Sequence, residues 1–314
     1  MPHKQAEHHD LMTHRTSLTK FAWLSIGAAL ATIFLKAAAY FLTGSIGLLS
    51  DALESVVNLA GSIMALLMLI IAARPADEGH VYGHSKAEYF ASITEGLLIL
   101  GAAAGIIHAA VQRLMNLRPL EQLGVGLAVS LSASLINFIV ARILLTTGRK
   151  RRSITLEADA SHLMADVWTS VGVIGGVALA GITGWHILDP LIAIAVAINI
   201  LWTGVQLMRR SVAGLMDAAL PESDQQKIQA VIERYRQKGV NFHALRTRQA
   251  AARRFVSIHI LFPGDWTVHD AHHVAEEFEA EIRAALGSGV TVFTHLEPLE
   301  DELSMQDMFL DREH

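Results

Sequence analysis

Two short polar stripes interrupt long apolar segments of this chain. Glu54 and Asn58 are four residues apart in the first stripe, and His162 and Asp166 have the same spacing in the second, with Asp159 one turn before them. Side chains four apart share one face of a helix, and an ionisable group within a membrane span is costly enough to indicate function. Two such stripes facing one another would enclose a four-ligand site for a divalent transition metal.

A pocket of this composition also predicts competition between metal ions and protons. Two carboxylates balance the charge of a divalent ion, and without a cation protons would relieve the buried charge. Histidine is the side chain that titrates nearest neutral pH, which makes His162 the natural titrating group. This competition is the physical basis of metal/proton exchange. The alternative is that these polar side chains only mediate helix packing in the membrane.

Two further groups of potential ligands lie outside the apolar segments. Asp77, His80 and His84 fall within eight residues of a polar loop, which could bind one ion or be a solvated loop with incidental histidines. In the last third of the chain, histidines and a glutamate on adjoining elements indicate either a clustered site for one or two metal ions or a scatter of surface histidines. They are His243, His259, His272, His273, His295 and Glu297.

Composition narrows the chemistry of these sites. The 314 residues include sixteen histidines and no cysteine, so disulfides and thiolate metal sites are excluded and any metal must have nitrogen and oxygen ligands. A formal net charge of -5 gives no support to a nucleic-acid partner.

Six apolar segments are each long enough to cross about 30 Å of hydrocarbon. They cover residues 21–42, 46–73, 87–112, 123–145, 156–182 and 190–208. Basic residues gather on one side of such a bundle, chiefly in a loop over 148–153 and after the sixth segment, which predicts that both termini are cytoplasmic. The start of the chain lacks the pattern of a cleaved signal peptide, so we expect the first span to be retained.

The region after Asp217 has the mixed composition of a water-soluble domain. Its periodicity predicts helices over 222–238 and 267–286 and strands over 241–248, 254–262 and 290–296. This α-β-β-α-β order indicates a small α+β sheet with helices on one face. The predicted organisation is a polar histidine-containing tail (1–20), a six-helix transmembrane domain (21–216), a cytoplasmic metal-binding domain (217–300) and a polar tail without assigned structure (301–314).

Several motifs between about Leu18 and Pro298 are jointly specific. They are Thr43-Gly-Ser45, Pro75-Ala-Asp77 with His80, Gly83, His84 and Lys86-Ala-Glu88, His162-x3-Asp166, Leu215-Met-Asp217, Leu245-Arg-Thr-Arg-Gln249 and His295-x-Glu297-Pro298. Together they resemble the cation diffusion facilitator family of divalent metal/proton antiporters.

The resemblance implies a homodimer in the inner (plasma) membrane, with six α-helical spans and a metallochaperone-like cytoplasmic domain in each subunit. It implies proton-driven metal export by alternating access through Glu54, Asn58, His162 and Asp166, and a charge interlock between Lys86 and Asp217. It also implies additional metal sites in the loop and at the dimer interface. Their residues would be Asp77, His80 and His84, and His243, His259, His272, His295 and Glu297.

The second apolar segment departs from the common zinc pattern of this family. Glu54 and Asn58 stand where that pattern has two aspartates, and Asn58 is neutral and cannot take a proton. Zinc is therefore the default substrate, with iron, manganese, cobalt, nickel and cadmium open.

Two rival functions follow from the same residues. A membrane-anchored metal sensor without transport would not need two polar stripes inside its anchor. An intramembrane metalloenzyme would need an open catalytic site, and the sequence has no His-Glu-x-x-His pair.

Overall fold

The structure is a computed structural model that describes residues 18–43, 46–115, 124–185 and 187–306. The histidines predicted in an N-terminal tail, the turn at Gly44 and Ser45, the turn over 116–121 and the end of the C-terminal tail lie outside these residues. The chain divides into two compact units near Gly214. The first contains helices α1 (Thr19–Thr43), α2 (Ile46–Ala72), α3 (Ala87–Met115), α4 (Gly124–Arg151), α5 (Ile154–Thr183) and α6 (Leu188–Leu215).

Five of these six helices, all except α5, are long and apolar enough to cross a membrane. Their outer surfaces expose large apolar side chains such as Phe34, Phe41 and Trp202, as contact with lipid requires. The first half of α5 instead carries Glu157, Asp159 and Asp166. The predicted α-helical membrane protein is confirmed, with one helix more polar than the rest.

Helix α5 is polar because it lies inside the bundle. Its Leu156 and Leu163 join an apolar cluster with α1, α2 and α4, while its Ala158 and Ala165 join another with α3 and α6. Helices on both sides therefore shield the first half of α5 from lipid, and its carboxylates can find partners within the protein.

The basic segment over 148–153 is not the loop that the sequence predicts. Helix α4 continues to Arg151, Arg152 takes a left-handed conformation with φ 53°, and Ser153 N–H donates to the Gly148 carbonyl at 2.9 Å. Positive side chains are favourable at a helix C-terminus, where the helix dipole is negative. A run of basic residues is therefore compatible with the last helical turn.

The second unit has the predicted α-β-β-α-β order. It contains α7 (Glu222–Arg236), β1 (Asn241–Ala250), β2 (Arg253–Phe262), α8 (Val268–Leu286) and β3 (Val290–Pro298). Strand β2 is central, pairing antiparallel with β1 and parallel with β3. The apolar residues of β2 at 256, 258, 260 and 262 pack with both helices, so the helices cover one face of the sheet.

Residues after β3 correct the expectation of an unstructured tail. Glu302–Met305 form a short 3-10 helix, and the Asp301 side chain accepts the Leu303 N–H at 2.9 Å. Aspartate is a favoured residue at this capping position because its carboxylate satisfies an otherwise unpaired backbone N–H.

Candidate metal sites

A chain of hydrogen bonds joins α2 to α5 inside the helical unit. His162 Nε2 lies 2.8 Å from Asn58 Oδ1, and Asn58 Nδ2 donates to Asp166 Oδ2 at 2.5 Å. Asn58 and His162 are buried, and Asp166 is partly buried. Three of the four predicted ligands therefore meet, because the spacing of four residues places each pair on one face of its helix.

The donor and acceptor roles along this chain of hydrogen bonds follow from the carboxylate of Asp166. An ionised carboxylate only accepts hydrogen bonds, so the Asn58 amide nitrogen faces Asp166 and its oxygen faces His162. His162 Nε2–H then donates to Asn58 Oδ1. The nitrogen, the amide oxygen and the carboxylate are all suitable ligands for a transition metal, and they converge on one region.

Glu54 is the most exposed of the four predicted ligands. It lies one turn before Asn58 on α2, whereas the other three are buried or partly buried. The structure thus places Glu54 on the same helix as Asn58, with a more exposed side chain.

Two polar residues that sequence reasoning did not assign to the site also contact it. Asn137 of α4 donates to Asp166 Oδ2 at 3.2 Å, and Glu95 of α3 places Oε2 3.3 Å from His162 Nδ1. Both are buried. A polar residue inside an apolar span was the available signal, but neither has a matched partner at helical spacing.

Asp159 belongs to a neighbouring polar group rather than to this chain of bonds. It is buried and accepts from Ser25 Oγ of α1 at 3.0 Å, and Ser25 Oγ lies 2.9 Å from Ser62 Oγ of α2. These contacts join α1, α2 and α5 beside the candidate site.

The loop between α2 and α3 brings its three predicted ligands together. Asp77 Oδ1 lies 3.2 Å from His80 Nδ1, Asp77 Oδ2 lies 3.3 Å from His84 Nε2, and candidate ligand atoms of all three are within 4.8 Å of one another. The His84 ring is held by contact of Nδ1 with the Pro75 carbonyl at 3.2 Å. The group is therefore a candidate site for one ion at the surface of the helical unit.

The charge state of Asp77 suits a metal ligand. Desolvation would raise its pKa, but the backbone N–H and imidazole of His80 donate hydrogen bonds to it, and the charges of His84 and His80 act in the same direction. Together these interactions hold the pKa of Asp77 below its ordinary value. Asp77 therefore remains an anionic ligand when the solution becomes mildly acidic.

Strand register aligns three histidines across the sheet of the second unit. His243 pairs with His259, and His259 pairs with His295, with ring centroids 5.0 Å apart in both pairs. Glu297, two residues further along β3, lies on the same face. Its Oε2 is 2.6 Å from His243 Nε2, and its Oε1 is 3.2 Å from His259 Nδ1 and 3.5 Å from His295 Nε2.

Burial distinguishes the members of this histidine row. The side chains of His243, His259 and Glu297 are 5%, 17% and 11% exposed, whereas His295 is 67% exposed. One carboxylate surrounded by imidazoles is a donor set suited to zinc and similar ions. The clustered interpretation is therefore favoured over a scatter of surface histidines for these four residues.

His272 is not part of the cluster within a single chain. It is exposed on α8, beside His273, whereas α8 packs on the opposite face of the sheet through residues including Ala271 and Ala275. Asp217, the other residue with a predicted role in the dimer, forms an ion pair with Arg248 at 3.1 Å. The dimer roles of His272 and Asp217 stay predictions.

Comparison with known proteins agrees with the division of the chain into a helical unit and a second unit. Residues 22–216 match the family profile described as the cation efflux transmembrane domain, and residues 220–299 match the profile described as the cation efflux protein, cytoplasmic domain. A Synechocystis sp. protein named as an uncharacterized transporter, sll1263, is 52% identical over 91% of this chain and 92% of its own. The cation-efflux pump FieF of Citrobacter koseri is 33% identical over 85% of this chain and 88% of its own, and that of Salmonella arizonae is 31% identical over 91% and 94%.

Proposed function

The chain belongs to the cation diffusion facilitator family of cation efflux transporters, and from this premise we propose that it exports a divalent transition metal ion in exchange for protons. The substrate ion would pass through the site between α2 and α5, with zinc as the default substrate. The same proposal places the chain in the inner membrane with both termini in the cytoplasm, as the distribution of basic residues predicts. Its domains would be the transmembrane domain over 21–216 and the metal-binding domain over 217–300.

The observation that carries the proposal is the buried contact of Asn58, His162 and Asp166 across two helices. A helix that only anchors a sensor gains nothing from a buried histidine and carboxylate, because their desolvation opposes insertion. A transport site needs such groups, since a dehydrated metal ion must find replacement ligands midway through the protein.

The proposal of proton exchange is supported by the state of His162 Nε2, the nitrogen atom that would bind the metal. His162 Nε2 carries a proton when it donates to Asn58 Oδ1, and a metal ion can bind that nitrogen only after the proton leaves. Because Asn58 does not titrate, His162 and the nearby carboxylates would have to supply the protons that are exchanged. Binding of the substrate and release of a proton are thereby coupled at one atom.

Flux into proteoliposomes tests the proposed function. The vesicles would contain a pH-sensitive dye, and zinc, iron(II), manganese, cobalt, nickel and cadmium would be added in turn. Entry of a transported metal is expected to drive protons out and make the lumen alkaline, with no change in protein-free vesicles. Metal binding without flux for every ion would refute antiport and support the membrane-anchored sensor.

The loop group is proposed to bind metal without forming the transport route. We expect His84→Ala to lower the number of metal ions bound per chain while the maximal flux stays within a few-fold of wild type, because only the loop site loses a ligand. Isothermal titration gives the number bound. His269→Ala, an exposed histidine of α8, should leave it unchanged, and equal binding in the wild type and His84→Ala would contradict the assignment.

Acidification should weaken metal binding at the loop. Metal ligands must be deprotonated, so protons compete with the metal at this site, while the lowered pKa of Asp77 keeps its carboxylate ionised. Isothermal titration with metal at successively lower pH, on the wild type and on His84→Ala, measures this effect.

The histidine row is proposed to link metal binding to homodimer formation. Metal that binds better in the dimer must strengthen it, by roughly 100-fold when free metal is about 100 times the Kd of a site formed only there. Glu297→Gln should abolish that strengthening, because Glu297 contacts all three histidines. Dimer affinity is measured by fluorescence energy transfer between labelled chains, with Glu277→Gln on the exposed surface of α8 as the control. A dimer equally strengthened by metal in Glu297→Gln would overturn the link.

A further inference from the structure

Glu95 is a buried carboxylate whose contacts fall on two neighbouring helices. It belongs to α3, is 1% exposed, and lies against His162 of α5 and Gly61 of α2. Among the residues that the structure describes, neither Glu95 oxygen has an aligned hydrogen-bond partner. A carboxylate in this position is costly unless it interacts with a particular group.

Gly61 provides the space that the Glu95 carboxylate occupies. A Cβ atom at Gly61 would lie 2.6 Å from Glu95 Oε1, which is too close for a real contact, and 3.1 Å from Oε2, which is tight. The absence of a side chain at this point of α2 therefore permits Glu95 to extend between α2 and α5.

The His162 ring separates Glu95 from the other candidate ligands. Its Nε2 faces Asn58 at 2.8 Å, whereas its Nδ1 faces Glu95 Oε2 at 3.3 Å. The two nitrogens of an imidazole point to different sides of the ring. Glu95 therefore lies behind His162 as seen from Asn58 and Asp166, and it is not placed to share an ion with them.

We propose that Glu95 is a positioning residue for the transport site, acting through His162. When a metal ion replaces the proton that Nε2 shares with Asn58, the Glu95 carboxylate accepts the Nδ1–H of His162, so the Nε2 lone pair is presented to the ion. The two atoms are at ion-pair distance but are not aligned as a hydrogen bond, so the proposal requires a rotation of one side chain when the metal binds. This inference rests on the proposed function, because it assigns the orientation of a ligand at the same site.

The chemical consequence is a stronger nitrogen ligand. A carboxylate that accepts the second N–H of a metal-binding histidine fixes its tautomer and raises its basicity, and loss of such a partner typically costs about 10- to 100-fold in metal affinity or activity. Glu95 would thus supply negative charge to the site without coordinating the ion. That charge matters here because Asn58 is neutral.

Kinetics of metal flux test the role of Glu95 in proteoliposomes, using the metal that wild-type vesicles carry. Glu95→Leu should raise KM by about 10- to 100-fold with a smaller change in maximal rate. Glu95→Gln should recover much of that loss, since its amide oxygen still accepts the Nδ1–H. A purely structural role would lower the maximal rate with the amount of folded protein and leave KM unchanged.

Two further variants keep the test decisive. Gly61→Ala retains the carboxylate but displaces it, so it should raise KM in the same direction even if Glu95→Leu folds poorly. Glu88→Gln is the control. Glu88 is another buried glutamate of α3, and it accepts a hydrogen bond from Ser153 Oγ at 2.5 Å. This variant should leave KM unchanged. Wild-type KM in both Glu95→Leu and Gly61→Ala would overturn the inference. Wild-type vesicles that carry no metal would refute the proposed function itself.

Discussion

Asp166→Asn is expected to stop metal transport while the protein stays folded. Asp166 is the one carboxylate in the chain of hydrogen bonds that it forms with Asn58 and His162. An amide in its place cannot balance the charge of a divalent ion. Loss of a direct ligand should exceed the roughly 10- to 100-fold loss typical of residues that only hold ligands in place. We therefore expect the initial flux in proteoliposomes to fall by more than about 100-fold.

The fold should survive this change because an amide nearly matches a carboxylate in shape. An amide oxygen at this position can still accept from Asn58 Nδ2 and from Asn137 Nδ2. Size-exclusion chromatography and thermal stability of the purified variant would check its integrity.

Asp189→Asn is the matched control: Asp189 is 7% exposed and paired with Arg113 at 3.2 Å, and it makes no contact with the three ligands. Wild-type flux in Asp166→Asn would remove Asp166 from the transport site.

Phe278→Ala is expected to cause the largest loss of stability in the second unit, about 3–5 kcal/mol. Phe278 is fully buried, and its ring centroid lies 5.3 Å from Tyr235 and 4.8 Å from Phe242. Alanine would leave a cavity between both helices and the sheet. Because β2 carries His259 and aligns it with His243 and His295, the same change should weaken metal binding at the histidine row.

Hydrogen exchange of the intact protein measures this loss within the second unit. The most protected amides of β2 report global opening of the domain, and at about 1.4 kcal/mol per tenfold change their protection should fall by roughly two to four orders of magnitude. Phe278→Leu keeps several of the buried carbons and should lose less than half as much. Unchanged protection in Phe278→Ala would show that this aromatic contact does not support the domain.

Features set by local periodicity were accessible from the sequence. A helix repeats every 3.6 residues, so the spacing of His162 from Asp166 and of Glu54 from Asn58 predicts that each pair shares a face. Alternation along a strand likewise predicts that Val256, Ile258 and Ile260 face the core while His259 faces the opposite side. The helix count, the α-β-β-α-β order and the short loop containing Asp77, His80 and His84 depend on the same local information.

Strand register depends on contacts between distant parts of the chain. A shift of one residue would turn a strand's side chains to the other face, so the alignment of His243, His259 and His295 needed the tertiary structure. The position of His272 on α8 depends likewise on the packing of a helix against a sheet formed by other parts of the chain.

The membrane site shows the same division between local and distant information. The sequence by itself determined that α2 and α5 each present a polar stripe, because helical spacing is local. Only tertiary packing decided that Glu54 is more exposed than the other predicted ligands and that Glu95 and Asn137 contact this group. The rotation of each helix about its axis depends on how all six pack together, down to the missing side chain of Gly61, and no spacing along one helix contains that information.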